Sequence, residues 1–351
     1  MKKIVGISVF ILFFILINTL FFPLRVYKKN IYRQSGFINI NNSSSDANAE
    51  GFYSNRKECG YFSFKGGVSH KFVSAENSFI EANRNFYITY EKVGESISLF
   101  NCLGEKIKDI PTFAYPYIPN DNPIFFAKKT NGSGLLAFNF QGEFLYSLDY
   151  TSIITSISTD KYSNALVSLL DGRTFLYSPK QEVLFTTDSI DNNSKITMTK
   201  SNAIDYNGDY IAICSGIDSE YVDIYQKKTN GRIKKIETDT NYRYGSFMKF
   251  DSGRLYYQGD KKLKYYDLKK NRESFFDIDG EIIDVQFDDE GNVIALTKEN
   301  ALNLINVFSI TGRKKFYKEF SKDIENVRVL PDNSFYFKID NFIVKFSYEK
   351  S

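Results

Sequence analysis

The side chains that could do chemistry are few in kind. Among 351 residues there is one histidine, His70, three cysteines, Cys59, Cys102 and Cys214, and no tryptophan. A general base needs a positioned water or nucleophile and an orienting partner, and the run Ser69-His70-Lys71 supplies neither through its spacing. Zinc held on several histidines and a redox C-x-x-C pair both lack their raw material. The cysteines therefore read as small apolar residues of strands. Acidic residues number 42, enough for convergent carboxylates to hold a cation or to work as an acid and base pair. The densest set is Asp205, Asp209, Asp251, Asp288, Asp289, Glu290 and Asp332. Each lies in an Asp/Asn/Gly-rich run of the kind that closes a tight turn, and capping of backbone N–H groups accounts for them. No catalytic residue, metal ligand or cofactor is nominated.

The basic residues carry a different pattern. Lys227-Lys228, Lys269-Lys270 and Arg313-Lys314-Lys315 each follow an aromatic residue by two to seven positions, so they recur at one place in the architecture. Such pairs suit contact with a protein or an anionic surface, the plainer alternative being solvated lysines at exposed turns. Tyr256 and Tyr257 lie in a tyrosine-dense stretch with Tyr206, Tyr210, Tyr242, Tyr244, Tyr265 and Tyr266. These amphipathic rings serve either as packing or as a binding patch. With 45 basic against 42 acidic residues, a net charge of +3, the chain lacks the basic field of a nucleic-acid binder.

The elements that must position these residues are strands. Helical periodicity is absent beyond the N-terminus, whereas short alternating runs rich in Phe, Tyr, Ile and Val recur between Asn, Asp and Gly turns. A mostly apolar run ending in an aromatic can be laid down seven times, at Phe100, Phe138, Tyr177, Tyr225, Tyr266, Phe308 and Phe346. The steps are 38, 39, 48, 41, 42 and 38 residues, the length of a four-stranded propeller blade. A tight turn followed by a second apolar strand precedes the aromatics, as in Asp205-Tyr206-Asn207-Gly208 before YIAI. A β-sandwich has short strands but no reason to hold such a period. Only five residues follow Phe346, too few for an outer strand, so residues 59–75 are expected to complete the last blade and close the ring.

In phrases such as DYNGDYIAI and FDDEGNVIAL the chain resembles the seven-bladed propellers of the WD-repeat and YVTN type, over residues of about 60 to 350. The Trp-Asp dipeptide and the Gly-His of true WD repeats are absent. What the resemblance implies is a scaffold, not an activity.

Ahead of the repeats, residues 4–24 (IVGISVFILFFILINTLFFPL) carry no charge. As a helix they reach about 30 Å, the thickness of a hydrocarbon core. No small-residue cleavage site ends the run, which favours a retained signal anchor over a cleaved peptide. The expected layout is a cytoplasmic tip at 1–3, a transmembrane helix at 4–24, a flexible tether at 25–58 and an all-β, seven-bladed propeller at 59–351. Basic residues flank both ends of the apolar run, and the short MKK tip sets the propeller on the periplasmic or extracellular side. The functional expectation is a non-catalytic, membrane-anchored scaffold that binds another cell-envelope protein. The alternative is an extracytoplasmic enzyme, or a sensor of a small ligand or sugar, with its site at the channel mouth.

Overall fold

The computed structural model describes residues 31–42, 49–119, 122–189, 197–217, 220–241, 247–259 and 262–349. These form eight antiparallel sheets, seven of four strands and one of three. In chain order, blade 1 is residues 51–73, blade 2 78–111, blade 3 114–149, blade 4 154–188, blade 5 199–241, blade 6 248–277 and blade 7 281–320. Blade 8 takes three strands from residues 327–349, and its outermost strand is the first described one, Ile31–Asn39.

Hydrophobic cores lie between blades, not within a single sheet. Ile294, Leu296, Ile305 and Val307 of blade 7 pack against Phe335, Phe337, Phe346 and Tyr32 of blade 8. Ala212, Cys214, Val222 and Ile224 of blade 5 meet Leu255, Tyr257 and Tyr266 of blade 6. Both faces of a blade's middle strands are thus covered, so these strands are buried along their length and mostly apolar, as in Ala165–Leu169, where every residue is buried and only Ser168 is polar. The repeated aromatic sits on the strand next to the outermost one, the third in every four-stranded blade. In seven of the eight blades the pairing with the outermost strand shifts register at that aromatic, as at Leu99/Phe100 and Val307/Phe308. A bulge there adds local twist, which splays the outer strand away from the axis.

Eight blades replace the expected seven. The missed unit is blade 1, whose aromatic is Phe62, 38 residues before Phe100 and in phase with the rest, with its own bulge between Tyr61 and Phe62. The segment expected to close the ring is this blade. Residues 58–63 pair with 67–73 on one side and with 51–54 on the other, not with the last blade. Closure is made by Ile31–Asn39, inside the stretch expected to be a tether. That strand is polar because it is outermost: Tyr32 and Ile38 are buried while Arg33, Gln34, Ser35 and Phe37 are exposed. The expected tether at 25–58 therefore also holds strand Gly51–Ser54. The expected transmembrane helix at 4–24 lies outside the described residues. Within them, no helix is long and apolar enough to cross a membrane.

Because every sheet is antiparallel, turns alternate between the two faces of the disc. Turns joining first to second and third to fourth strands share one side, the turn face. Turns joining second to third strands, and links between blades, share the other, the link face. Hydrogen bonds across blades agree: Arg254, after the first turn of blade 6, donates to Ile310 O in the outer turn of blade 7 at 2.8 Å. On the opposite side, Thr112 N, linking blades 2 and 3, donates to Glu95 O at 2.9 Å.

Candidate functional site

The acidic turns of the turn face are occupied with their own backbone. Asp288 Oδ1 accepts from the N–H groups of Glu290 and Asn292 at 3.0 and 2.7 Å, and its Oδ2 accepts from Asn292 Nδ2 at 2.6 Å. Asp160 makes the same three contacts with Tyr162 and Asn164. Asp205 accepts from Tyr210 N at 2.6 Å and Asp332 from Ser334 N at 3.0 Å. This is turn capping, as the spacing led one to expect. Among the described residues no group of three His, Cys, Asp or Glu could hold a metal ion.

His70 sits on the outer strand of blade 1, its Nε2 3.2 Å from Tyr87 Oη and its ring stacked on Tyr87 with centroids 5.6 Å apart. Burial holds its pKa below the ordinary value, and the geometry is that of an inter-blade packing residue. Cys59 and Cys214 are buried strand residues, and Cys102 is half-buried at the outer turn of blade 2.

A cavity of about 1030 Å³ opens at the centre of the turn face. Its charged lining comes from several blades: Glu50, Arg84, Lys249, Asp251, Asp289 and Arg328. Three cations face three carboxylates, so its charge is mixed. The Arg328 guanidinium lies over the Phe52 ring at 3.9 Å, and Lys249 Nζ lies 3.3 Å from Gln286 Oε1 and 5.3 Å from the Phe287 ring. Burial raises the pKa of Asp251, whose Oδ2 is buried without a hydrogen-bond partner. Below it, burial likewise raises the pKa of Asp284, which accepts from Val327 N at 3.0 Å and so ties blade 7 to blade 8.

The seven basic residues singled out lie where the repeat puts them, at the outer turns of blades 5, 6 and 7, and all but Lys315 are exposed. The two tyrosines expected beside them do not. Tyr256 and Tyr257 are 0% and 2% exposed, one packed against blade 7 and the other against blade 5. They occupy a middle strand, where a neighbouring blade covers each face, so alternation gives neither of them to solvent. Lys161 on the turn face is flanked by Tyr162 and Tyr206, with ring centroids at 5.0 and 5.5 Å. Both rings are exposed, 59% and 68%.

A second surface escaped the sequence reading. On the link face, Val93, Phe113, Ile153, Leu170 and Ile217 are exposed in the turns and links of blades 2 to 5. Backbone hydrogen bonds join these segments: Thr130 N to Phe113 O at 3.2 Å and Leu170 N to Ile153 O at 2.8 Å. Large apolar residues placed beside turn signals, as in Lys92-Val93-Gly94, were the available clue.

Comparison with known proteins agrees with the architecture. A family model described as "beta-propeller protein" matches residues 1–350. No curated protein matches the chain. Among solved structures, BamB from Moraxella catarrhalis is similar, with a TM-score of 0.64 and 8% identity over 90% of this chain and 100% of that one. At that identity the likeness speaks for the fold alone. Matches extend to 1273 solved chains, a breadth that marks a shared scaffold and not a shared activity.

Proposed function

The chain belongs to the family described as beta-propeller protein, and from that premise we propose that it is a non-catalytic, membrane-anchored scaffold that binds another protein of the cell envelope. The observation that carries this reading is the apolar arc of the link face. Val93, Leu170 and Ile217 come from blades 2, 4 and 5 and Phe113 and Ile153 from the links on either side of blade 3, and none of them fills an inter-blade core. Exposed apolar side chains grouped in this way mark a docking surface, and rigid blades hold their turns in fixed relation. The anchor at 4–24 belongs to the same proposal, as does the periplasmic or extracellular side for the propeller. The basic turns Lys227-Lys228, Lys269-Lys270 and Arg313-Lys314-Lys315 offer a separate, anionic contact.

Photo-crosslinkers placed at Phe113 and Ile153 of the full chain in whole cells test the reading. One envelope protein should be recovered from both positions and lost when Val93→Asp and Leu170→Asp are added to the same chains; recovery of none, or of an unrelated background from each, overturns it. A reporter fused after Ser351 reads the side of the membrane independently.

The central cavity favours a second reading, a small anionic ligand held by Arg84, Lys249 and Arg328. Thermal-shift screening of carboxylates and sugar acids against the Arg84→Ala and Arg328→Ala variants separates the two.

A further inference from the structure

Resting on the reading that residues 4–24 span the membrane, we propose that the propeller does not hang freely from its anchor. Its turn face lies on the bilayer, with the basic outer turns of blades 5 to 7 on anionic phospholipid headgroups.

The first argument is the length of the leash. The expected tether is a strand from Ile31 onward, so seven Cα steps separate Leu24 from Ile31. At about 3.5 Å per step the chain spans at most about 25 Å. Ile31 is opposite Glu349, at the end of a third strand, and so occupies the place of an outer turn in blade 8. The chain therefore joins the disc on its turn face, at the rim.

The second argument is what neighbours that point. Tyr32 packs on Phe316 of blade 7, with centroids 5.8 Å apart, and Lys315 Nζ lies 4.9 Å from the Tyr348 ring. The basic turn Arg313-Lys314-Lys315 is thus the immediate neighbour of the arriving chain. Lys269-Lys270 and Lys227-Lys228 continue the series on the next two blades. Within this arc Asp267 is engaged by Arg254 at 3.7 Å and Lys270 at 3.6 Å. The matching turns of blades 2, 3 and 4, away from the anchor, carry Glu105, Glu143 and Glu182, balanced in blades 2 and 4 by Lys106 and Lys180, so none of them has the net positive charge of blades 5 to 7. Along the outer rim of the turn face, positive charge is gathered on the side that the leash holds nearest the membrane, outside the backbone-capped acidic turns between first and second strands.

Two further features suit headgroups. A groove of about 520 Å³ between blades 5 and 6 is lined by Lys228, Lys234, Lys235, Glu237, Tyr210 and Asn271; Lys235 is paired with Asp223 at 2.8 Å, so Lys228 and Lys234 are the donors that would meet a lipid phosphate. On the same face the exposed Tyr162 and Tyr206 flank Lys161, rings of the type that sit at the headgroup level. Basic clusters beside a membrane segment are drawn to anionic lipid. With the turn face so placed, the apolar link face points away from the bilayer and stays free for a partner protein.

The test uses the full chain in phosphatidylcholine vesicles with and without phosphatidylglycerol. In a Cys102→Ser background, a fluorophore is attached through Thr229→Cys on the turn face or Glu95→Cys on the link face, and quenching by headgroup spin-labelled lipid is read. Quenching should exceed that at position 95 when the label is at 229, and only in anionic vesicles. The contrast should be lost in a Lys227→Glu/Lys228→Glu/Lys269→Glu/Lys270→Glu chain. It should also be lost in 1 M salt, where the screening length falls from about 10 Å to about 3 Å. Co-flotation with neutral vesicles but equal quenching of both faces overturns the docking and leaves the anchor standing. Failure to co-float with neutral vesicles overturns the anchor and the docking with it. A contrast that persists after charge reversal, or that needs added envelope protein, takes the basic arc away from lipid and also overturns the proposal.

Discussion

Ile31 stands opposite Glu349, a pairing of residues 318 positions apart that makes the first described strand the outer edge of the last blade. Ring closure therefore depends on a strand whose buried anchors are few. Tyr32 is the main one, 3% exposed, between Phe335, Phe316 and Tyr348 at centroid distances of 5.2 to 5.8 Å.

Replacing Tyr32 by alanine should cost about 3–5 kcal/mol, the range for emptying a buried aromatic site. It should also loosen blade 8 more than any other, because among the described strands its outer strand is the only one not joined to its blade by a short turn. Urea unfolding of Tyr32→Ala measures the loss, and hydrogen exchange at residues 342–349 localises it. A loss no larger than that of an exposed control such as Phe37→Ala would show that closure does not run through this strand.

How much of this was legible follows from the same relationship. The blade period was readable because each third strand ends in an aromatic at a bulge, a local pattern repeated in sequence. Blade 1 kept that pattern at Phe62, but among the described residues no first strand of its own sheet precedes Gly51–Ser54, and the polar run NNSSSDANAEG before it reads as a tether. Closure by Ile31–Asn39 was unreadable for another reason. One side of an outermost strand faces water, so its sequence, IYRQSGFIN, has the composition of a linker. At the candidate site, the positions of the basic turns followed from the period. The burial of Tyr256 and Tyr257 did not, because alternation within a strand cannot report that adjacent blades cover both faces. The link-face arc was hidden as well, since its members come from separate turns that only the ring brings together.

A buried polar clasp joins blades 4 and 5. Asn202 Nδ2 donates to Ser168 Oγ at 2.8 Å, Ser156 O at 3.2 Å and Leu166 O at 3.3 Å, while its Oδ1 accepts from Ser158 Oγ at 2.8 Å. Removing it orphans acceptors in a dry interface, at roughly 1–3 kcal/mol for each buried group left without a partner. Asn202→Ala should destabilise by about 2–4 kcal/mol, and Ser158→Ala, which removes only a hydroxyl donor, by less. Chemical denaturation of the two variants checks the order; equal losses would mean that the amide is not the organising group.

The three thiols should react unequally. Cys59 is 0% exposed and Cys214 1% exposed, and burial, followed by Glu58 and Glu220 respectively, pushes each pKa up to about 12. Neither forms much thiolate at neutral pH, and the thiolate is the nucleophile. Cys102, half-buried at the outer turn of blade 2, should be alkylated first. Timed maleimide labelling with peptide mass spectrometry should find Cys102 modified in the native chain and the other two only on unfolding. Early modification of Cys59 or Cys214 would contradict the closed inter-blade cores.

His70 offers a pH test that a single imidazole makes unambiguous. Burial holds its folded-state pKa below the ordinary value near 6.5. Above the ordinary value both folded and unfolded chains carry neutral His70, so it contributes no pH dependence there. As pH falls through 6.5 the unfolded chain takes up a proton first, which stabilises the unfolded state, and folding stability declines. The decline from this residue ends once folded His70 is itself protonated, at the cost of its stacked position against Tyr87. Stability measured from pH 7.5 down to pH 5 should therefore fall more steeply in the native chain than in His70→Gln, which keeps a polar group near Tyr87 Oη without titrating. The imidazole resonance should give a midpoint below that of a free histidine. A midpoint at or above 6.5, or identical slopes in the two chains, would place His70 in water instead of between blades 1 and 2.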